Sequence, residues 1–214
     1  MVYTENEIDE YINEHIDIES TILQKIRMET FLNIPMSGML SSHIQGRALS
    51  VFSKMIKPNT ILEVGTFTGY SAICLSEGLQ SGGVLHTIDK NTDLELTVRN
   101  YFELAGVSSR INYHIGMANE IIPRISEMFD LVFIDADKKN NSLYYDLVFD
   151  KVNPGGFIII DNVLWKGKVL EKEHGAKDKI TKYIVEFNKK VRNDNRIEKT
   201  ILPIRDGLML VRKI

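Results

Sequence analysis

The sequence predicts an α/β protein whose mostly parallel sheet is covered by helices on both faces. Short apolar runs alternate along the chain with segments whose apolar residues recur at helical spacing. Apolar runs of this kind, separated by helices, are typical of strands buried on both faces of a parallel sheet. The last two runs flank Asp206-Gly207, a dipeptide typical of β-hairpins. We therefore expect seven strands, five parallel ones followed by an antiparallel C-terminal hairpin.

Two helical segments precede the predicted sheet. Apolar residues recur at helical spacing over residues 5–31 and again over 43–56, which predicts extra N-terminal helices. After a turn at Lys57-Pro58-Asn59, the parallel strands are expected at 61–64, 84–89, 111–116, 130–136 and 157–161. Helices are expected between and after them, from the first loop through about residue 79 and at 91–105, 118–127, 140–150 and 176–192.

Length and composition are typical of one folded domain. The 214 residues, 43% of them apolar and 26% charged, suffice for one sizeable core. No internal repeat, low-complexity tract or linker interrupts the alternation of elements. We predict a single domain over 1–214, with the N-terminal helices in 1–56 and the sheet core in 57–214.

Two features of the sequence exclude whole classes of protein. No stretch approaches the roughly 18 consecutive apolar residues of a membrane span, and the N-terminus is acidic where a secretion signal is basic and then apolar. The single cysteine, Cys74, excludes an internal disulfide and a metal site built from cysteines. We therefore expect a cytoplasmic protein with no membrane partner, and any metal on oxygen or histidine.

The net charge of −3 argues against extended binding along a nucleic acid, because no basic field covers the chain. A local basic patch stays open, and its members would be Lys166, Lys168, Lys172, Lys189, Lys190 and Arg192. Such a patch would suffice for an enzyme that acts on a single base of an RNA.

Carboxylates stand at the carboxyl ends of four of the five predicted parallel strands. They are Glu63, Asp89, Asp135 and Asp161. In an open parallel sheet, ligands bind at these ends of the strands. The four acidic residues are therefore the first candidates for a binding site.

The loop after the first strand indicates a cationic ligand. A dinucleotide fingerprint needs Gly-x-Gly-x-x-Gly, but Phe67 and Tyr70 occupy the places of its second and third glycines, which disfavours an NAD-dependent reductase. Glu63 would also repel a pyrophosphate. S-adenosylmethionine carries a sulfonium, an ammonium and no phosphate, and Asp89 is placed to accept both ribose hydroxyls. The alternative is that Glu63, Asp89 and the glycines are ordinary strand-end and turn residues.

A second group of polar residues predicts a metal site. Asp135, Asp161 and Asn162 end two successive buried strands, and neighbouring strands lie about 4.8 Å apart, close enough to share one ion. Oxygen ligands select a hard cation, Mg²⁺ first, with Mn²⁺ or Ca²⁺ as substitutes. Such an ion would favour ionisation of a bound hydroxyl, and Lys138 could take the proton. The alternatives are a helix cap for the Asp-Asn pair and a solvated loop lysine.

Six segments carry a family resemblance that extends from about residue 35 to the end of the chain. They are LEVGTFTGYSAI (62–73), TID (87–89), GMANEIIPRI (116–125), DLVFIDADKKN (130–140), GGFIIIDNVLWKGKV (155–169) and LPIRDGLMLVRK (202–213). In order and spacing they resemble the metal-dependent O-methyltransferases of the catechol and caffeoyl-CoA type. Ala136 and Asp137 stand where the animal catechol enzymes carry a histidine and an aromatic, which matches the caffeoyl-CoA-like and bacterial branch.

The resemblance implies a Rossmann-like class I methyltransferase fold and roles for individual residues. Around S-adenosylmethionine it implies Leu40, Ser41, Glu63, Gly65, Thr66, Ser71, Asp89, Met117, Ala118 and Asp135. The implied metal ligands are Asp135, Asp161 and Asn162, with Lys138 as the base. Residues 35–42 resemble the family's N-terminal lid, for which a plain interhelical loop is the alternative.

The expected function is a metal-assisted methylation of a hydroxyl on a small phenolic or catechol-like acceptor. The sequence also resembles bacterial enzymes that methylate 5-hydroxyuridine in tRNA, so a tRNA acceptor is the alternative. A module that only binds the cofactor is a third interpretation, which Lys138 and the metal trio disfavour. A homodimer is expected from the family, with the closing hairpin as an edge for pairing. Trp165 suits a wall of the acceptor pocket and a structural role equally well.

Overall fold

The seven predicted strands form one sheet in the computed structural model, which describes residues 5–171 and 178–214. The strands are β1 Thr60–Val64, β2 Val84–Asp89, β3 Ile111–Ile115, β4 Phe129–Ile134, β5 Val152–Asp161, β6 Ile197–Leu202 and β7 Leu208–Lys213. Their order across the sheet is β3-β2-β1-β4-β5-β7-β6. Strands β1 to β5 run parallel, and β7 pairs antiparallel with β5 and β6. The predicted fold class is confirmed.

Helices cover both faces of this sheet. The α-helices of the described residues are α1 Glu5–His15, α2 Thr21–Asn33, α3 His43–Ile56, α4 Tyr70–Ser76, α5 Glu95–Leu104, α6 Ala118–Ile121, α7 Asn141–Phe149 and α8 Lys179–Arg192. Within this part of the chain, no helix is both long and apolar enough to cross a membrane.

The sheet separates two apolar cores, because successive residues of a strand point to opposite faces. Ile61 of β1 joins one core, together with Leu49 of α3 and Cys74 of α4. Leu62, the next residue of β1, joins the other core, which Tyr145 of α7 and Phe187 of α8 complete. Burial on both faces explains why the strands read as continuous apolar runs.

Capping and proline make two helices shorter than predicted. The helical pattern over 5–31 breaks between α1 and α2, where Ser20 accepts a hydrogen bond from the Leu23 amide at 3.4 Å. The helix expected at 118–127 ends at Ile121 and gives way to a 3₁₀ turn, because Pro123 cannot continue an α-helix.

Two other boundaries also differ from the prediction. Strand β5 begins at Val152 rather than at residue 157, and its pairing with β4 shifts in register between Phe129 and Leu131. Such an irregularity lets Pro154 and the glycines after it lie inside a strand. The helix expected at 176–192 is seen from Lys179, and residues 176 and 177 lie outside the described residues.

The order of the sheet reverses between β1 and β4. From β1 the chain continues to β2 and β3 on one side, and from β4 it continues to β5 on the other. Ligands of open α/β sheets bind at this switch point, beyond the carboxyl ends of the strands. Gly65 follows β1 and Asp135 follows β4, so these two residues mark the place where a site is expected.

Candidate active site

The loop after β1 crosses the end of β4 at very short range. Gly65 has a φ of +106°, and a Cβ built on it would lie 2.1 Å from the carbonyl oxygen of Asp135. The Gly65 amide donates to the Ile88 carbonyl at 2.9 Å, and the Asp135 amide donates to the Val64 carbonyl at 2.9 Å. Glycine at position 65 therefore lets the ends of β1, β2 and β4 meet.

Glu63 is a fully buried carboxyl group beneath this loop. Ser71 Oγ donates to its Oε1 at 2.6 Å, and Thr87 Oγ1 donates to its Oε2 at 2.5 Å. Burial raises the pKa of Glu63 to about 8, although both hydrogen bonds favour the charged form. A cationic group beside Glu63 would offset this loss of hydration.

Asp89 ends β2 and fixes the same loop through its backbone. Its Oδ2 accepts hydrogen bonds from the amides of Thr66 at 3.1 Å and Phe67 at 2.8 Å. Its Oδ1 accepts the amide of Asn91 at 2.9 Å. A carboxylate oxygen has two lone pairs, so Oδ1 keeps a place for a ligand hydroxyl, whereas both places on Oδ2 are filled. Oδ1 thus keeps one further acceptor position in this structure, and the contact of Asp89 with both ribose hydroxyls stays a prediction.

Thr66 and Ser71 support the two acidic residues from below. Both are buried, at 1% and 6% exposure. Thr66 Oγ1 bonds to Thr87 Oγ1 at 2.5 Å, and Thr87 in turn donates to Glu63. Their hydroxyls are therefore already engaged with the protein, and any contact with a cofactor would add to these bonds.

Met117 and Ala118 lie beyond β3, beside Asp89. The Gly116 amide donates to the Asp89 carbonyl at 2.8 Å, which ties this corner to the end of β2. Met117 is 43% exposed, whereas Ala118 is buried at the start of α6. The Met117 side chain is therefore the part of this corner that is free to cover a ligand.

Leu40 and Ser41 belong to the segment predicted as a lid, residues 35–42. Each is 5% exposed. Arg205, in the turn between β6 and β7, donates from Nη1 to the Leu40 carbonyl at 2.8 Å. The end of the segment at Leu40 and Ser41 is therefore packed on the carboxyl end of the sheet, where the predicted cofactor residues lie.

Asp161 ends β5 and is 3% exposed. Its Oδ2 accepts a hydrogen bond from Gln45 Nε2 at 2.9 Å, and its Oδ1 accepts the Asn162 amide at 2.7 Å. Burial, followed by the negative charge of Asp135, raises the pKa of Asp161 to about 7. Two carboxyl groups thus share this end of the sheet with too little positive charge around them.

Lys138 supplies the nearest positive charge. Its Nζ donates to Asp135 Oδ1 at 2.8 Å, and its side chain is 11% exposed. The 3₁₀ turn Lys138–Asn140 follows β4 and turns the lysine back over Asp135. The structure therefore brings Asp135, Asp161 and Lys138 together, as predicted.

The residues implied as metal ligands fit a hard divalent cation. Asp161 and Asp135 offer carboxylate oxygens, and a bound cation would oppose the burial and the charge of Asp135 that raise the pKa of Asp161. Asn162 directs its Nδ2 toward Asp206 Oδ2 at 3.5 Å, which leaves its Oδ1 available. The described residues hold no cluster of three or more histidine, cysteine or acidic side chains suited to a metal, so an amide oxygen would be the third protein ligand.

Two residues near Asp161 were missed in the sequence. Gln45 is fully buried in the first turn of α3, and nothing in its sequence context indicates a contact with β5. Arg205 lies in a turn that was recognised, but its reach to the lid depends on tertiary structure. Trp165, at a φ of +48°, is half-buried just after the Asp161-Asn162 pair, and its predicted role as a pocket wall stays a prediction.

The predicted basic patch is partly neutralised. Lys190 pairs with Asp146, Lys168 lies 3.6 Å from Asp178, and Lys172 lies outside the described residues. A groove of about 480 Å³ lies between α8 and strands β6 and β7, with Leu164 in its lining. The lining combines apolar residues with the basic side chains of Lys189, Arg192 and Lys199.

Comparisons with known proteins all indicate the same family. A family model described as O-methyltransferase matches residues 13–214. Caffeoyl-CoA O-methyltransferase 3 of Nicotiana tabacum is 33% identical over 190 residues, which cover 84% of this chain and 78% of that protein. Caffeoyl-CoA O-methyltransferase of Petroselinum crispum is also 33% identical over 190 residues, covering 84% and 79%.

Two similar solved structures contain S-adenosylmethionine or S-adenosylhomocysteine and support the cofactor assignment. The O-methyltransferase TomG of Streptomyces achromogenes, in complex with S-adenosylmethionine, has a TM-score of 0.90 at 25% identity and covers 100% of this chain and 99% of its own. The O-methyltransferase of Bacillus cereus, in complex with S-adenosylhomocysteine, has a TM-score of 0.89 at 28% identity and covers 97% of each chain. The chain belongs to the O-methyltransferase family, and it is a methyltransferase that depends on S-adenosylmethionine.

Proposed function

We propose that this enzyme methylates a hydroxyl of a small phenolic or catechol-like acceptor with the help of a divalent metal, Mg²⁺ or in its place Mn²⁺ or Ca²⁺. The observation that carries the proposal is the cluster at the ends of β4 and β5. There, the buried Asp161, the half-buried Asp135 and Asn162, and the Nζ of Lys138 lie together beside the Gly65 turn. Purely cofactor-binding function would not require this second group of residues.

The cofactor end orients the methyl donor. Glu63 offers a buried carboxyl group, and a ligand group bearing an ammonium or sulfonium would favour its ionised form. Asp89 offers one free acceptor position to a ribose hydroxyl, and its bonds to the backbone of the loop hold it in place beforehand. Preorganisation of this kind reduces the entropy that must be lost to align the two reactants.

The acceptor end handles the proton. Asp135, Asp161 and Asn162 would hold the metal, which when bound favours ionisation of the acceptor hydroxyl and fixes its oxygen. Lys138 is the base: a bound divalent cation would favour loss of a proton from its ammonium group to water. The neutral Nζ then accepts the hydroxyl proton while the oxygen forms a bond to the methyl carbon and the bond from that carbon to sulfur breaks. The products are the methyl ether and S-adenosylhomocysteine.

A tRNA containing 5-hydroxyuridine is the second candidate acceptor, and the basic groove beside α8 favours it. The lining of the groove includes Leu164, three residues after Asp161, and the basic side chains of Lys189 and Arg192. Neither of these two side chains forms an ion pair with another of the described residues. They would attract the phosphates that flank a target base.

We also propose a cytoplasmic homodimer. Strand β6 forms one edge of the sheet, and its residues from Glu198 to Ile201 are exposed. A second copy of the chain could cover this edge, which would otherwise present unpaired backbone groups to solvent.

Incubation with labelled S-adenosylmethionine tests the acceptor and the metal together. The enzyme and Mg²⁺ are offered catechol, caffeate, caffeoyl-CoA and undermodified tRNA in parallel, with EDTA and Asp161→Asn as tests of the metal. Asp150→Asn is the matched control, because Asp150 is exposed after α7. We expect label on a phenol, lost with EDTA and in Asp161→Asn and retained in Asp150→Asn.

The other outcomes separate the alternatives. Label on tRNA alone would move the enzyme to RNA modification by the same chemistry. Label that persists both with EDTA and in Asp161→Asn would contradict the metal-assisted mechanism and leave the cofactor assignment intact.

A further inference from the structure

The turn between β6 and β7 reaches across the carboxyl end of the sheet to the lid, residues 35–42. Arg205 Nη1 donates to the Leu40 carbonyl at 2.8 Å and to Gln45 Oε1 at 3.0 Å. One guanidinium nitrogen thus holds the end of the lid and the first turn of α3. Ser42 caps that helix by accepting the Gln45 amide at 3.2 Å.

The chemistry of the partners fixes the orientation of the Gln45 side chain. A guanidinium group can only donate hydrogen bonds, so the atom of Gln45 that faces Arg205 must be its carbonyl oxygen. The Gln45 amino group is then turned to Asp161, where Nε2 donates to Oδ2 at 2.9 Å. A reversed amide would place donor against donor at Arg205 and oxygen against oxygen at Asp161. Arg205 therefore controls which group Gln45 presents to Asp161.

The next residue of the same turn orients a second amide. Asp206 Oδ2 accepts a hydrogen bond from Asn162 Nδ2 at 3.5 Å, and Asp206 Oδ1 accepts the Lys166 amide at 3.1 Å. A carboxylate can only accept, so Asn162 turns its amino group to Asp206 and its oxygen away. Arg205 thus orients the side-chain amide of Gln45, and Asp206 orients that of Asn162, both at the end of β5.

The backbone of Arg205 supports a role for its side chain. Arg205 has a φ of +50°, in the left-handed region that favours glycine. A residue with a side chain costs free energy in this conformation, and such strain persists where the surrounding contacts require it. Here the contacts that depend on the side chain are the two bonds to Leu40 and Gln45.

We propose that Arg205 and Gln45 are positioning residues that couple closure of the lid to the orientation of Asp161. The part of the proposal that concerns Asp161 rests on its proposed role as a metal ligand. The part that concerns the lid does not. The lid packs correctly when Arg205 holds Leu40, and the same guanidinium sets the amide that steadies the Asp161 carboxylate. The proposed role of both residues is to position other groups, Leu40 and Asp161.

The test removes the Arg205 side chain without straining the backbone. Arg205→Gly suits the left-handed conformation, and Lys57→Gly is the matched control because Lys57 has a φ of +53° at the distant end of α3. We expect hydrogen exchange at the Met39 and Leu40 amides of Arg205→Gly to become about tenfold faster with S-adenosylhomocysteine bound. We also expect Mn²⁺ affinity, measured by electron paramagnetic resonance, to fall about tenfold. Lys57→Gly should change neither.

Gln45→Met separates the two halves of the coupling. Methionine has a similar volume and keeps the site filled, but it cannot donate to Asp161. We expect Mn²⁺ affinity to fall ten- to a hundredfold while the lid amides exchange as in the wild type, because Arg205 still holds Leu40. Unchanged lid exchange in Arg205→Gly would overturn the proposal. If the wild-type enzyme binds no Mn²⁺, the metal part of the proposed function fails, and lid exchange in Arg205→Gly still decides whether Arg205 holds the lid.

Discussion

The two ends of the active site are built by different means. At the cofactor end, Asp89 is held by backbone amides and Glu63 by short hydroxyl side chains of neighbouring elements. At the acceptor end, the Asn162 amide holds one oxygen of Asp161, but the long side chain of Gln45 holds the other, and Asp135 is held by that of Lys138. The carboxylates of the first end are fixed by the loop and by short side chains, whereas those of the second also depend on two long side chains.

This difference matches what each end must bind. Many methyltransferases use the same cofactor, so its site can be a rigid one that the local backbone holds in place. The acceptor end must let a proton leave and an acceptor enter, and lysine and glutamine side chains can move without a change in the backbone. We therefore expect substitutions at the cofactor end to act on binding and stability, and substitutions at the acceptor end to act on turnover.

The largest effect is expected at Gly65, where the two ends touch. A Cβ at this position would lie 2.1 Å from the Asp135 carbonyl oxygen, and the φ of +106° would also be strained. We expect Gly65→Ala to lower the free energy of unfolding by at least ~3 kcal/mol, measured by urea denaturation. The change should abolish cofactor binding, because the loop between Glu63 and Asp89 has to move.

Gly82→Ala is the matched control for this change. Gly82 has a φ of +78° but nothing lies within 4 Å of the added Cβ, so strain alone should cost about 1–2 kcal/mol. An equal loss of stability in both variants would mean that the close contact between the two ends does not matter.

The next largest effect is expected on turnover at the acceptor end. Lys138→Gln keeps a hydrogen-bond donor near Asp135 but removes the proposed base, so kcat should fall about 10²- to 10⁴-fold. Affinity for S-adenosylmethionine, measured by calorimetry, should stay within about twofold, because glutamine can still donate to Asp135, the predicted cofactor residue to which Lys138 donates. Lys139→Gln, at the exposed neighbour, controls for the loss of charge. A kcat that falls equally in both variants would remove Lys138 from the role of base.

The sequence indicates the carboxylates of both ends for a physical reason. Strand ends can be recognised from local apolar runs, and parallel strands bring their ends to one edge, so Glu63, Asp89, Asp135 and Asp161 could be found one by one. The fold follows from the same alternation, and the Asp-Gly turn predicts the hairpin that closes the sheet.

What the sequence does not reveal are contacts between distant segments. Gln45 meets Asp161 across 116 positions and Arg205 meets Leu40 across 165. No local pattern marks either residue, because a long polar side chain at the start of a helix or in a turn is common on any surface. His86 and His114 are likewise far apart in the sequence, and their ring nitrogens lie 3.0 Å apart across β2 and β3.

The smallest of the three effects is a dependence of stability on pH that belongs to the cofactor end. The pKa of Glu63 is about 8 in the folded enzyme, against 4.5 for a glutamate exposed to water, so the folded chain holds a proton that the unfolded chain releases. This contribution is complete below about pH 4.5 and is lost as the pH rises to about 8. Between pH 5 and 7.5 the wild type should lose roughly 1 kcal/mol of unfolding free energy per pH unit relative to Glu63→Gln.

Urea denaturation of both proteins across this range isolates Glu63, because other titrating groups such as Asp161 contribute to both curves alike. The glutamine variant keeps the size of the side chain and can still bond to Ser71 and Thr87. The ammonium group of bound S-adenosylhomocysteine should favour the Glu63 carboxylate. The difference in unfolding free energy between the two proteins should then depend less on pH. If the two curves run parallel without ligand, Glu63 is ionised in the folded enzyme. The protein would then stabilise this buried carboxylate by itself, without a positive charge from the cofactor.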